Sequence, residues 1–321
     1  MKFKNCMFIA LFAIAALIAC DKEEVVSKEE QKEIVTDART FVLSDSIKVD
    51  VDNGILSFES EESLQECIDY LNFIGNERLL DFEEALGYTS YKTSCNLTDK
   101  KYLVEDDLLG TLMNQDRQII VAGYLLTTNL KDETTEIKPL DDTSLKSSSY
   151  RLAEEVTIKW QEDAFDVMQT GERNGYLKGY CKNTPKKKEW KLFPTPNMWG
   201  GTNDASRIQA KVCFQRAGWY NSIVIKFKLE KQTDSGYYYN LHYVTVDAKY
   251  KRRRRGETKF DREKSCYAKK QGDEISHRPY NGTRRLEWAR VPVKFDYKAR
   301  WRDDESKVVE TGEVLLLMKC T

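Results

Sequence analysis

The residues Val291, Val293, Phe295, Tyr297, Ala299 and Trp301 alternate with polar neighbours, and a run of that length with a period of two defines a half-buried β-strand. The same alternation recurs at Ile208, Ala210, Val212 and Phe214, at Ile223, Ile225, Phe227 and Leu229, and at His242, Val244, Val246, Ala248 and Tyr250. Val314, Leu316 and Met318 close the chain in the same way. Five or more strands with one polar face, joined by turns bearing Gly and Asn, predict an antiparallel β-sandwich over residues 150–321. The run from Tyr150 to Met168 reads equally as helix or strand.

Ahead of these strands the period changes. Ile47–Val51 and Ile55–Phe58 flank Asp52-Asn53-Gly54, in which Asn-Gly marks a tight hairpin turn. Ser60 is placed to cap a helix that starts at Glu61 and carries Leu64, Cys67, Ile68, Leu71 and Ile74 at helical spacing before Gly75 stops it. A second helix is expected over about Glu77–Leu86, ending at Gly87, and a third over about Val104–Met113. Ile119–Thr127 reads as one strand with Thr134–Leu140 as its partner. These elements make a small α+β domain over residues 41–140, and the polar, serine-rich stretch from Asp141 to Ser149 is the expected boundary. The fold class is therefore α+β, a small N-terminal α+β domain followed by a β-sandwich domain.

The N-terminus supplies an address. Lys2 and Lys4 precede an uncharged run from Phe8 to Ile18, too short for a bilayer span, and then Ala19 and Cys20. Leu17-Ile18-Ala19-Cys20 resembles the lipobox of bacterial lipoproteins. The resemblance implies that residues 1–19 are a signal peptide and that Cys20 carries the lipid, which would hold the protein on the outer membrane. Residues 20–40 then form a charged tether. Within it, Lys22-Glu23-Glu24 resembles the export signal of surface lipoproteins in Bacteroidetes-type bacteria, which implies exposure at the cell surface.

Three further stretches resemble one family. Val51 to Phe58, Phe82 to Ser90 and Ile120 to Tyr124 are similar to the N-terminal module of uncharacterised two-domain lipoproteins of gut Bacteroidetes, and the strand-rich second half is similar to their second domain. That family implies no activity. Asp45-Ser46-Ile47 also resembles the O-glycosylation acceptor of those bacteria, which implies Ser46 as the modified residue.

Net charge near zero conceals a division. From Asp21 to Ser148 there are 29 acids and 13 bases, and from Ser149 to Thr321 there are 23 acids and 36 bases. Halves of opposite sign either dock on one another or meet separate partners. A basic domain outside the cytoplasm is not expected to bind nucleic acid, which leaves acidic glycans, lipid head groups or acidic envelope proteins.

Chemistry is less well marked. Without Cys6 and Cys20, six cysteines remain, of which Cys67 and Cys95 are a candidate disulfide because both lie in the first half; Cys67 also reads as a buried apolar residue on its helix stripe. No C-x-x-C, H-E-x-x-H, EF-hand, P-loop or dinucleotide pattern occurs, so neither a metal nor a cofactor is expected. Past the leader the chain has only His242 and His277, the first on an alternating strand and the second in an expected loop, and no G-x-S-x-G accompanies either.

Binding candidates are the basic run Lys249 to Arg255, within which Tyr250, Arg252, Arg253, Arg254 and Arg255 combine charge with stacking. A second is the stretch from His277 to Arg285, with Tyr280, Arg284 and Arg285, and a third is Trp199 in a Pro- and Gly-rich loop. A solvated hairpin tip accounts for either basic stretch, and for Lys249 to Arg255 a dock for the acidic half does so too. The function expected is a non-catalytic envelope module that binds a glycan or protein partner. A carbohydrate-active or peptide-cleaving enzyme using unassigned carboxylates, and a pilus-type assembly subunit, are the alternatives.

Overall fold

The Asn53-Gly54 turn forms as the sequence predicts. Both residues take positive φ, 49° and 77°, and join β2 (Ile47–Asp52) to β3 (Ile55–Phe58) as an antiparallel pair. The structure is a computed structural model that describes residues 40–44, 47–140, 150–173, 186–196, 202–231, 244–253, 264–268, 274–300 and 308–320. All of these belong to the compact unit Val35–Thr321. The leader, Cys20, the tether as far as residue 39, Ser46, Trp199, His242, Arg254, Arg255, Trp301 and the expected boundary at 141–149 lie outside the described residues, and Thr40 at the end of the expected tether already belongs to the first strand.

β1 (Thr40–Ser44) pairs with β2 at one edge of a seven-stranded sheet that continues through β3, β4 (Gln118–Val121), β5 (Tyr124–Asn129), β6 (Thr134–Pro139) and β7 (Val156–Lys159). Among the described strand pairs only β3 and β4 run parallel. A parallel step needs a crossover, and four helices supply it. They are α1 (Glu61–Ile74), α2 (Leu79–Leu86), α3 (Tyr91–Leu97) and α4 (Asp107–Leu112).

α1, α3 and α4 each start where a side chain meets the free N–H groups. Ser60 accepts from Ser63 N–H and Ser63 accepts from Ser60 N–H, a reciprocal cap for α1. The expected stripe of Leu64, Cys67, Ile68 and Leu71 is buried, while Ile74 is only partly so. α2 follows a 3-10 turn and ends at Gly87 in the left-handed conformation. α3 was not anticipated. Its Thr, Ser, Cys and Asn are poor helix formers, so it rests on the Ser90 cap and on burial of Tyr91 and Cys95.

The single strand expected over Ile119–Thr127 is two strands. Ala122 and Gly123, at φ 52° and 80°, turn the chain between β4 and β5, which then pair with each other. Two residues at positive φ make a tight hairpin turn, and a continuous apolar run hid it. The ambiguous stretch from Tyr150 to Met168 holds both kinds of element, β7 and α5 (Ala164–Thr170).

The later strands form two four-stranded antiparallel sheets. One has the order β13 (Glu274–Gly282), β10 (Asn221–Lys231), β9 (Thr202–Arg216), β8 (Lys186–Pro196). The other has the order β12 (Lys264–Ala268), β11 (Val244–Arg253), β14 (Arg285–Arg300), β15 (Val308–Cys320). Ala210, Val212, Phe214, Ile223, Ile225 and Phe227 from the first sheet and Val291, Val293, Val314, Leu316 and Met318 from the second are buried, as the alternation requires.

The other face of β9 and β10 departs from the sequence reading. Lys211, Cys213, Gln215, Ser222 and Val224 are buried too. The turn after β9 explains why. Ala217, Trp219 and Tyr220 belong to the same apolar core as α1, α4 and the seven-stranded sheet. Trp219 is fully buried and its Nε1 donates to Thr128 Oγ1 at 3.1 Å. Thr135 Oγ1 donates to Ala217 O at 2.6 Å, and Ala164 N–H to Gly218 O at 3.0 Å. This turn anchors β9 and β10 against the first half.

Candidate functional site

The acidic triplet Glu105-Asp106-Asp107 at the start of α4 faces three strands of the first sandwich sheet, each of which contributes a cation. Arg278 on β13 donates from Nε to Asp106 Oδ1 at 2.5 Å. Lys211 on β9 pairs with Glu105, and Lys226 on β10 approaches Asp107 Oδ1 at 3.5 Å. Lys92 on α3 reaches the other oxygen of Asp107 at 3.2 Å. Docking of the oppositely charged halves is thus built from particular side chains. Lys211 and Lys226 sit opposite one another in register, a repulsive cross-strand pair that the two carboxylates relieve.

Asp106 is the centre of this joint and is fully buried. Beyond Arg278 it accepts from Tyr220 OH at 2.7 Å, from Ser222 Oγ at 2.5 Å and from Leu108 N–H at 3.1 Å, the last as helix cap. Burial by itself would raise its carboxyl, yet the Arg278 charge and the bonds from Ser222, Tyr220 and Arg278 hold it below the usual carboxylate range. Arg278 Nη2 also donates to Asn76 Oδ1 at 2.5 Å. A carboxylate with this many donors is fixed in place and is a structural centre.

The stretch from His277 to Arg285, read from sequence as an exposed loop, is the end of β13 and its turn into β14. His277 lies in the strand opposite Ile225, and burial and then the neighbouring Arg278 lower its pKa. Tyr280 and Arg285 are buried and Arg284 is half-buried. Tyr280 OH donates to Arg284 O at 2.5 Å. Helix α1 grips the turn. Thr283 N–H donates to Gln65 Oε1 at 2.9 Å, and Thr283 Oγ1 to Glu61 Oε1 at 2.8 Å. Nearby, Asp163 caps α5 by accepting from Phe165 N–H at 3.0 Å. Burial and then Asp166 raise its carboxyl to about 7 against the pull of Arg285, with Glu61 adding to the rise.

The register of the second sheet brings together the two basic stretches singled out in the sequence. Arg252 and Arg253 on β11 pair with Leu286 and Arg285 on β14, and Lys249 pairs with Arg290. Arg290 is exposed and was missed, because alone between Ala289 and Val291 it carries no cluster signal. Tyr250 lies in the same strand, opposite Ala289.

The candidate disulfide does not form. Cys67 and Cys95 are free and buried, and burial raises the Cys67 thiol far above its ordinary range. Both pack as small apolar side chains in the helical layer. Among the described residues no group of three or more His, Cys, Asp or Glu is arranged to hold a metal, and no helix is long and apolar enough to cross a membrane.

Fold and joint define an α+β protein whose helical layer is clamped onto an antiparallel sheet through one buried ion pair, Arg278–Asp106, and part-buried pairs around it. No family model matches the chain, and no curated protein matches it. Among solved structures, it is similar to a DUF4848 family protein of Bacteroides thetaiotaomicron, with 9% identity over 84% of this chain and 100% of that one and a TM-score of 0.22. At that distance the likeness assigns neither fold nor activity.

Proposed function

We propose that the chain is a lipid-anchored envelope protein that binds an acidic glycan or an acidic protein partner, without catalysis, through the basic end of the β11–β14 pair. The observation that carries this reading is the register of Lys249 opposite Arg290, with Arg252 and Arg253 following on the same strand. Like charges on neighbouring strands repel, and the fold tolerates them where an anion lies close. At the α4 joint that anion is internal, since Glu105 and Asp107 answer Lys211 and Lys226. At β11 and β14 an external anion meets Tyr250, Arg252, Arg253, Arg254, Arg255 and Arg284, while the buried Arg285 is already drawn to Asp163 inside the fold. The envelope address rests on Leu17-Ile18-Ala19-Cys20.

The test is a panel of acidic and neutral glycans, with envelope-protein pull-downs, on the chain and on a variant carrying Gln at 252–255 and at 284. Selective retention of acidic members by the native chain, lost in the variant, supports the reading. Equal retention by the two proteins refutes it.

A further inference from the structure

We infer that the solvent-facing side of β14 and β15 is a docking surface for an anionic lipid membrane. Two properties meet there. The first is charge, because the register aligns Lys249 with Arg290 and Arg290 with Lys319, a row of three cations across three neighbouring strands. Arg290 and Lys319 are both exposed.

The second property is apolar surface immediately beside that row. Leu317 pairs with Pro292 one row away and Leu315 pairs with Lys294 one row further. These leucines are 39% and 64% exposed, whereas Val314, Leu316 and Met318, alternating with them, are buried in the sandwich. The usual reason for leucine on a strand, packing into the core, is met by the other three. A solvated sheet face that needed only solubility would carry polar residues at 315 and 317.

A cation row bordered by exposed leucines has the layout of a membrane-surface contact. The cations meet anionic head groups, and the apolar side chains enter the boundary below them. A free polyanion would use the cations but leave the leucines wet. The inference rests on the proposed function for the anion-meeting role of this end of the sheet; the leucines are a separate observation.

Vesicle co-sedimentation tests it, using the full chain with Cys20→Ser so that no acyl group contributes. Phosphatidylglycerol-containing and pure phosphatidylcholine vesicles are compared, with soluble dextran sulfate as a second arm. Three proteins are followed, namely this chain and its Arg290→Glu/Lys319→Glu and Leu315→Ser/Leu317→Ser variants, each checked for native circular dichroism. Residues 290, 315, 317 and 319 are all exposed, and the leader and Cys20→Ser are common to all three. Binding to the anionic vesicles that falls about ten-fold or more in each variant, with the leucine variant still binding dextran sulfate normally, is the expected result. Equal vesicle binding by all three proteins overturns the inference. So does a leucine variant as tight as the parent on vesicles, which reduces the surface to a polyanion site and leaves the proposed function standing. Concentration-dependent dimerisation abolished by the leucine pair, without vesicle binding, also overturns it and assigns the face to a second copy of the chain.

Discussion

Arg278 and Asp106 form a buried ion pair across 172 positions of sequence, with Nε and Oδ1 2.5 Å apart. The pair joins β13 to the cap of α4, and its value lies in what happens when one member is lost. Arg278→Ala leaves a fully buried carboxylate with only neutral donors, and the expected loss is about 3–5 kcal/mol of unfolding free energy. Arg278→Lys recovers less than half, because an ammonium cannot bond Asp106 and Asn76 with the same fork. Urea titration of the two variants measures both losses.

Asp163 and Asp106 make opposite contributions to the pH dependence of stability. The folded carboxyl of Asp163 is raised to about 7, so its contribution is fully present below the unfolded value near ~3.9 and is lost as pH rises through about 7. Asp106 is depressed, and its contribution is present above the unfolded value and lost as pH falls through the folded one. Asp163→Asn keeps a capping side chain but removes the charge. Its melting temperature should exceed that of the parent by roughly 2–4 °C at pH 8 and match it near pH 4. Thermal melts across that interval decide the point, and a parent whose melting is flat from pH 5 to 8 contradicts the assignment.

Gly218 and Trp219 hold the sandwich to the first half. A Cβ at Gly218, whose φ is 79°, would meet Ile158 Cδ1 at 3.1 Å, so Gly218→Ala combines backbone strain with a crowded neighbour. A loss of about 1–3 kcal/mol is expected. Trp219→Ala removes a fully buried indole and should cost about 3–5 kcal/mol. Fluorescence-detected unfolding of the Gly218 variant and circular dichroism of the Trp219 variant provide the readouts.

Cys67 and Cys95 should be inert thiols. Burial keeps both from reagent, so alkylation in the native state is expected to be slower by orders of magnitude than in denaturant. Mass spectrometry of alkylated protein, without prior reduction, should find both residues modified once the chain is unfolded. A peptide linking residues 67 and 95 would contradict the free thiols.

Elements with a strong local signal were legible in the sequence. Asn53-Gly54, the Ser60 cap, the α1 stripe and the alternating strands each satisfy one short-range rule, and over the described residues each forms where expected. What escaped was non-local or locally contradictory. α3 is made mostly of poor helix formers, the Ala122-Gly123 turn sits inside an apolar run, and burial of Lys211 and Ser222 depends on an acidic helix start more than a hundred residues earlier. For the candidate site, the basic run on β11 was visible as composition. Its alignment with Arg285 and Arg290 is a matter of strand register, which alternation does not specify.

The most direct measurement of the central claim is a binding titration with an acidic polysaccharide at rising salt, comparing the chain with the variant neutralised at 252–255 and 284. The account predicts that affinity falls steeply with salt for the parent, and that the variant binds at least about ten-fold more weakly at low salt with a shallower slope. Identical affinities and slopes for the two proteins would contradict it.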